Sequence, residues 1–270
     1  MYKNYIFSIF KKLTSPIKLI NNRKTTLFDS SKFSKEIAKI LHNRIVKTHK
    51  FKSIKKFPIV MGKQAMYILN WQKSRLEYSR GIRQMLGYSK DEFTMEMALT
   101  LIHPDDIDVI NRILKGVVNF AIRNNVSAQK QYLNVTFRLL KKDGTYLRVM
   151  RQSLPFQTGE DGILLTHLSV LTDISFIKTS TNFVEWELYA GNIDVSLFKK
   201  SIYHEFANFF TDREKEIISL IDKGFTNSNI ASTLFISIHT VVAHRKNILK
   251  KSNCHNKKEL IEFCHLNGIL

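Results

Sequence analysis

The chain has 270 residues, with 42 Lys and Arg against 23 Asp and Glu, a formal net charge of +19. That length accommodates two domains, and the charge suits a polyanion, although 30 Lys against 12 Arg with abundant Ile, Asn and Phe is also what an AT-rich coding sequence yields. Only Cys254 and Cys264 occur and no apolar run nears the ~20 residues of a membrane span, which excludes a disulfide framework, a zinc-type cysteine spacing and a helical span, and fits a reducing cytoplasm.

The charge is unevenly spread. Residues 1–60 hold 15 Lys and Arg against 2 acids, a net of +13, while 61–198 carry +2 and 199–270 carry +4. The apolar stretch at 5–10 is too short for a signal-peptide core. Residues 33–46 show helical apolar spacing with basic residues between, an amphipathic helix that is expected to be frayed or loosely packed.

From about residue 60 the pattern becomes mixed. Short strands are expected over 64–71 and 76–79, then helices over 81–88 and 91–101. A loop at His103-Pro104-Asp105-Asp106 follows, then a longer helix over 107–124. Three strands come next, over 132–140, 146–156 and 163–171. The turn Lys141-Lys142-Asp143-Gly144 contains Asp-Gly, a hairpin signal, and Gly159-Glu160-Asp161-Gly162 is a second tight turn. In the first of these strands Leu133, Val135, Phe137 and Leu139 alternate with polar residues and should face the interior.

The motifs Leu86-Gly87-Tyr88-Ser89, His103-Pro104-Asp105-Asp106, Arg138 with Lys142-Asp143-Gly144, and Thr172-Asp173-Ile174-Ser175 carry a resemblance to PAS sensor domains over about 115 residues. Thr136 departs from it, standing where many relatives carry an acid. The resemblance implies a fold that holds haem, a flavin, another small molecule or only a partner, so it does not name the signal. No cysteine precedes Cys254, so cysteine–flavin photochemistry has no nucleophile here. A haem would need His103 or His167 as axial ligand. The ordinary roles of these residues are local hydrogen bonding for His103 and core packing for His167, which shares a face with Ile163, Leu165 and Leu171. No cofactor and no metal is assigned, and the ligand stays open.

Val184, Trp186 and Leu188 then alternate like a further strand, and 198–210 reads as a helix. Thr211-Asp212-Arg213-Glu214 is a capping box. Ile217, Ile218, Leu220 and Ile221 continue it with helical period until Gly224. Thr226 can cap a second helix through Ile230, Ala231 and Leu234. Ser237 can cap a third, from Ile238 to about Lys251, and a fourth runs over 257–266 with Leu260, Ile261, Phe263 and Cys264 on one side. Two short helices, the second basic, describe a helix-turn-helix.

Thr211, Arg213, Glu214, Glu216, Gly224, Asn227, Ala231, Ile236, Ser237, Thr240, Val241, His244, Asn247, Ile248 and Lys251 are among the residues by which this stretch resembles the LuxR-type, or GerE-like, helix-turn-helix of bacterial transcription regulators. Asn229 departs from it where a glutamate usually completes a second capping box. Val242 departs where a basic residue often stands. The resemblance implies that the fourth helix closes the domain and often forms a dimer contact.

On the third helix His239, Val242, Ala243, Lys246 and Lys250 fall on the side away from a seam of Val241, His244, Ile248 and Leu249. Val242, Ala243 and Lys246 are therefore expected over base edges, Lys246 donating to guanine O6 or N7. Thr240, Arg245, Asn247 and Lys250 are expected at phosphates. His244 is expected to pack rather than to bind DNA.

The expected fold class is α+β: a PAS-like antiparallel sheet with flanking helices, followed by an all-α four-helix LuxR-type helix-turn-helix domain. The expected division is a basic extension, partly helical or disordered (1–59), a PAS-like sensor domain (60–177), a linker (178–207) and the DNA-binding domain (208–270). The functional expectation is a cytoplasmic, homodimeric, sequence-specific regulator on double-stranded DNA, biased by a small-molecule or protein signal at the PAS-like domain. A signalling adaptor whose two domains contact proteins only is the alternative. An enzyme is not expected, because no P-loop, kinase-like block or receiver-type paired acids occur.

Overall fold

The computed structural model describes residues 29–47, 54–126, 131–177, 181, 183–189 and 194–270. The apolar stretch at 5–10 lies outside the described residues. The first helix, α1 (Ser30–Leu41), is capped by Asp29, whose carboxylate accepts from the Lys32 amide at 2.9 Å. The amphipathic pattern is thus helical, but the expectation of loose packing is corrected. Phe33, Ile37 and Leu41 are buried, each contributing about 1.5–3 kcal/mol. Phe33 meets Trp71 edge to face at 6.4 Å, and the Gln72 amide donates to the carbonyls of Leu41 and Arg44 at 2.9 and 3.0 Å. Those carbonyl contacts end the helix short of 46, and the chain continues into β1 (Val46–Lys47).

The sheet contains β2 (Gln64–Asn70), β3 (Arg75–Arg80), β4 (Tyr132–Leu140), β5 (Tyr146–Gly159), β6 (Leu164–Asp173) and β7 (Trp186–Tyr189). Among the described residues the order is β3-β2-β6-β5-β4-β7, with β1 pairing β5, and every pairing is antiparallel. The alternation read in β4 holds: Leu133, Val135, Phe137 and Leu139 are all buried. Their neighbours across the sheet share the same face. Val135 pairs with Arg151, Arg151 with Leu171, and Leu171 with Ala65, so one transverse row runs from hydrocarbon through a guanidinium and back. The opposite face carries a smaller cluster of Met66, Ile68, Phe156, Leu168 and Val170.

Between β3 and β4 lie α2 (Ile82–Leu86), α3 (Met95–Thr100) and α4 (Pro104–Ala121). α3 starts later than expected because Ser89 and Glu92 close a turn of their own, and Thr94 then caps at the Met97 amide. The His103–Asp106 run is not a free loop. His103 caps α4 through Nδ1, which accepts from the Asp105 amide at 3.1 Å, and Pro104 occupies the first turn, where a missing N–H is harmless. Asp106, 2% exposed, receives two hydrogen bonds from the Arg138 guanidinium, at 2.6 and 3.0 Å, and one from its backbone amide at 2.8 Å. Two motifs that looked separate in sequence are one ion pair.

Five helices complete the chain: α5 (Val195–Phe206), α6 (Asp212–Asp222), α7 (Asn227–Leu234), α8 (Ile238–Ser252) and α9 (Lys257–Leu266). α5 lies a few residues earlier than its apolar spacing suggested, because Asp194 caps it at the Ser196 and Leu197 amides. It packs closely on α4 at Gly116. A Cβ there would lie 2.7 Å from the Ile202 Cα, and the Ser201 hydroxyl donates to the Gly116 carbonyl at 2.9 Å.

The sheet region and the last four helices touch through side chains. Arg112 of α4 donates to the Glu205 carbonyl and, at 2.9 Å, to Asn208 Oδ1, and lies 5.2 Å from the Phe209 ring centre. Lys115 pairs with Glu205 at 2.7 Å. Trp186 of β7 donates its indole N–H to Asn267 Oδ1 at 3.1 Å, fully out of solvent, and Phe183 meets Phe263 of α9 at 5.7 Å. Leu260, Phe263 and Cys264 of α9 are buried within the chain, so that side of α9 packs into the core.

Candidate nucleic-acid interface

The helices of the C-terminal region start where oxygen-bearing side chains can accept the orphan amides. Thr211 and Glu214 form the expected reciprocal box, at 3.2 and 2.8 Å. Thr226 accepts from the Asn229 amide at 3.2 Å and Ser237 from the Thr240 amide at 3.0 Å. Gly224, at φ 86, follows α6 in the left-handed region that a C′ glycine supplies without strain. Phe235 takes the corresponding left-handed position between α7 and α8 and is almost wholly exposed. α8 is one continuous helix of 15 residues.

Its buried seam is Val241 and Ile248, with His244 and Leu249 half-buried beside them. That seam packs toward Ile217, Ile218 and Ile230, each essentially without solvent exposure. The opposite side of α8 presents His239, Val242, Ala243, Lys246 and Lys250 to solvent together. At 100° per residue, Thr240 and Asn247 lie on one flank of that strip and Arg245 on the other. Thr240 is exposed, but its hydroxyl is shared with Ser237 at 2.8 Å. Among the described residues Arg245, Lys246 and Lys250 form no ion pair.

Lys251 behaves differently. Its ammonium pairs with Glu214 at 2.9 Å and sits 5.2 Å from the Phe210 ring centre. Glu214 is 4% exposed. Burial alone would raise its pKa, yet the Thr211 amide and the Lys251 ammonium outweigh that and hold the carboxyl below its ordinary value. Lys251 therefore ties α8 to the start of α6 and is withdrawn from the outward basic face. Arg213 likewise serves structure, donating to the Leu234 carbonyl at 2.8 Å. Burial pushes the Cys254 and Cys264 thiols up to about 12, so both behave as small apolar side chains.

In the sheet region a cavity of about 110 Å³ lies between α4 and the inward face of the sheet. His167 lines it, and its Nδ1 accepts the Trp71 indole proton at 3.0 Å. Burial first, and the nearby Arg151 charge second, bring the imidazole down to about 3, so it is neutral. Arg151 was not singled out from sequence. Period-two counting along β5 through Leu147, Val149, Arg151 and Ser153 would have placed it inward.

Residues 208–264 match the profile of the bacterial regulatory proteins of the luxR family, and residues 75–166 match that of the PAS fold. The oxygen regulatory protein NreC of Staphylococcus carnosus is 49% identical over 51 residues, covering 19% of this chain and 24% of that protein. Its counterpart in Staphylococcus haemolyticus is 47% identical over the same length, again 24% of the relative. The chain thus spans about a quarter of the length of these curated relatives. Among solved structures, the N-terminal domain of a diguanylate cyclase with PAS/PAC sensor from Marinobacter aquaeolei shares 23% identity over 42% of this chain and 97% of that one, with a TM-score of 0.35. A Vibrio cholerae VqmA dimer without target DNA shares 14% over 80% and 85%, with a TM-score of 0.32. Likenesses this loose establish nothing about how the two regions are arranged. The two profile matches fall on the two regions built above: behind a PAS fold, the chain carries the helix-turn-helix module of the luxR family of bacterial regulatory proteins.

Proposed function

We propose that this protein is a sequence-specific, double-stranded-DNA-binding transcription regulator of the cytoplasm, acting as a homodimer, whose PAS region receives a small-molecule or protein signal. The observation that carries the reading is the outward strip of α8. Val242, Ala243 and Lys246 are exposed together, while Arg245, Lys246 and Lys250 are unpaired among the described residues. In this reading Lys246 donates to guanine, the two small apolar side chains meet thymine methyl groups, and Thr240, Arg245, Asn247 and Lys250 hold phosphates. Residues 208–270 act as the DNA-binding unit, 60–177 with α1 as the sensor, and 178–207 as the connection. Two copies about a two-fold axis would meet half-sites one helical turn apart, so the operator is roughly palindromic.

Regulation requires a signal that interacts differently with two arrangements of the chain. Support for a route comes from β7 and α5. Leu188 and Phe198 line the PAS cavity, while Trp186 and Tyr203 of the same two elements lie against the end of α9. An occupant pressing on the first pair displaces the element that carries the second.

Fluorescence anisotropy with genomic duplexes over a salt series tests DNA binding. Affinity should fall as salt rises, and Lys250→Ala should flatten the log–log slope by about one unit. No affinity for any duplex at low salt would overturn this reading in favour of a protein-binding adaptor.

A further inference from the structure

Among the described residues, nothing neutralises one cation that lines the PAS cavity. Arg151 is 8% exposed and lines the cavity, and its Nε has no hydrogen-bond partner. Among the described residues its guanidinium forms no ion pair. The Phe137 ring lies 5.4 Å from the guanidinium carbon. The neighbouring arginines of the same sheet are treated otherwise. Arg138 has Asp106, and Arg148 has the Thr181 carbonyl at 2.9 Å and Glu185 at 3.5 Å. A buried charge without a partner is costly, and stacking on one ring offsets only part of that cost.

The rest of the wall says what would neutralise it. No Asp or Glu lines the cavity among the described residues, and no Lys does. The other polar groups near Arg151 on the inward face are donors or can become so. His167 has its Nδ1 occupied by Trp71, which leaves the proton on Nε2, and the Ser153 and Ser169 hydroxyls share one hydrogen bond at 2.8 Å. Apart from the Gln131 carboxamide and the Tyr67 and Tyr132 hydroxyls, the remaining lining is hydrocarbon and aromatic, including Leu133, Phe137, Leu171 and Val118. One guanidinium among donors balances one negative charge, where a phosphate dianion would leave charge uncompensated. The volume of about 110 Å³ is somewhat below the ~150 Å³ of a cavity that holds benzene, so the occupant is a short chain or a single ring.

We propose that this cavity binds a small monocarboxylate with an apolar body, its carboxylate on the Arg151 guanidinium and its hydrocarbon against Leu133, Phe137 and Leu171. A planar fork of donors matches a carboxylate in two parallel hydrogen bonds, which neither an alcohol nor an amide accepts equally well. Binding as such does not depend on the DNA-regulating role. Only the consequence of binding rests on that reading.

The test uses the purified full chain without DNA. Calorimetry and thermal shift are run with hexanoate and benzoate, with hexanamide and benzamide as neutral matches, and with inorganic phosphate. The acids should bind saturably and raise the Tm, each amide binding about 10-fold or more weakly than its acid. Arg151→Met should abolish the preference for acid over amide, and its ligand-free Tm should equal or exceed that of the parent because the unpaired charge is gone. Arg151→Lys should retain part of the preference. Equal affinity for acid and amide, an Arg151→Met protein that still prefers acid, phosphate binding as tightly as the organic acids, or no binding by any acid from acetate to octanoate would each overturn the proposal. DNA affinity is then compared with and without saturating acid. No change there would refute the sensor reading while leaving the ligand class standing.

Discussion

In the helix-turn-helix module the residues that decide the structure sit three or four positions apart; in the PAS region they sit tens of positions apart. Thr211 with Glu214, Thr226 with Asn229 and Ser237 with Thr240 each join i to i+3. Asp106 reaches 32 residues to Arg138, Trp71 reaches 96 to His167, and Trp186 reaches 81 to Asn267. The cations differ as well. On α8 Lys246 and Lys250 point to water, while Lys251 is held by Glu214. In the sheet region Arg138 is paired with Asp106, while Arg151 lines the cavity. A short-range code thus sets the outward face of α8, while the sheet region is set by contacts that exist only once the sheet has assembled.

The largest expected effect comes from breaking a long-range contact. Asp106→Ala leaves the Arg138 guanidinium, 29% exposed, with only the more distant Asp105 carboxylate at 3.7 Å, and should cost about 3 kcal/mol, the lower end for a broken buried pair because water and Asp105 still reach the arginine. Urea unfolding followed by circular dichroism measures it; a loss below ~1 kcal/mol would mean the pair holds little together.

Next come the contacts between the regions. Gly116→Ala drives a methyl into backbone atoms of α5 that cannot step aside, and should cost about 1–3 kcal/mol. Trp186→Phe leaves the buried Asn267 oxygen without its donor, at a similar about 1–3 kcal/mol. Both variants should shift DNA affinity in the same direction, because one loosens α5 from α4 and the other loosens the end of α9 from β7, two of the contacts through which the sheet region meets the module. Unchanged affinity in both would show that docking and DNA binding are independent.

A smaller effect belongs to the short-range half. The Glu214 carboxyl has a folded pKa below its ordinary 4.5, so its contribution is complete above pH 4.5 and is lost as pH falls below that through the folded value. Glu214→Gln keeps an oxygen for the Thr211 amide but loses the charge facing Lys251, and should cost about 1 kcal/mol at pH 7. The gap between parent and variant, from urea midpoints at several pH values, should close below pH 4.5. A gap that stays constant down to pH 3 would contradict the pairing.

The same contrast explains what could be read from sequence. The caps, the Gly224 stop and the outward strip of α8 follow from spacing along one helix, so they were legible. The strands were legible as alternation, and β7 was visible in Val184, Trp186 and Leu188. What was not legible were partners: that Lys251 belongs to Glu214, that the His103–Asp106 run opens α4 and seizes Arg138, that α1 packs firmly, and that Asn267 waits for Trp186. Periodicity assigns a residue to a face, but it does not say what stands opposite. Arg151 shows the limit well, since its inward position was countable and its lack of a partner was not.

The most direct test of the central claim compares Lys246→Ala with Lys250→Ala on a selected operator and on random duplex, by gel-shift titration over a salt series. The account predicts that Lys246→Ala loses about 1–3 kcal/mol on the operator, relaxes the preference at one base position and barely changes binding to random DNA, while Lys250→Ala weakens both alike. Equal losses on operator and random duplex for Lys246→Ala would contradict the assignment of the outward face of α8 to base reading.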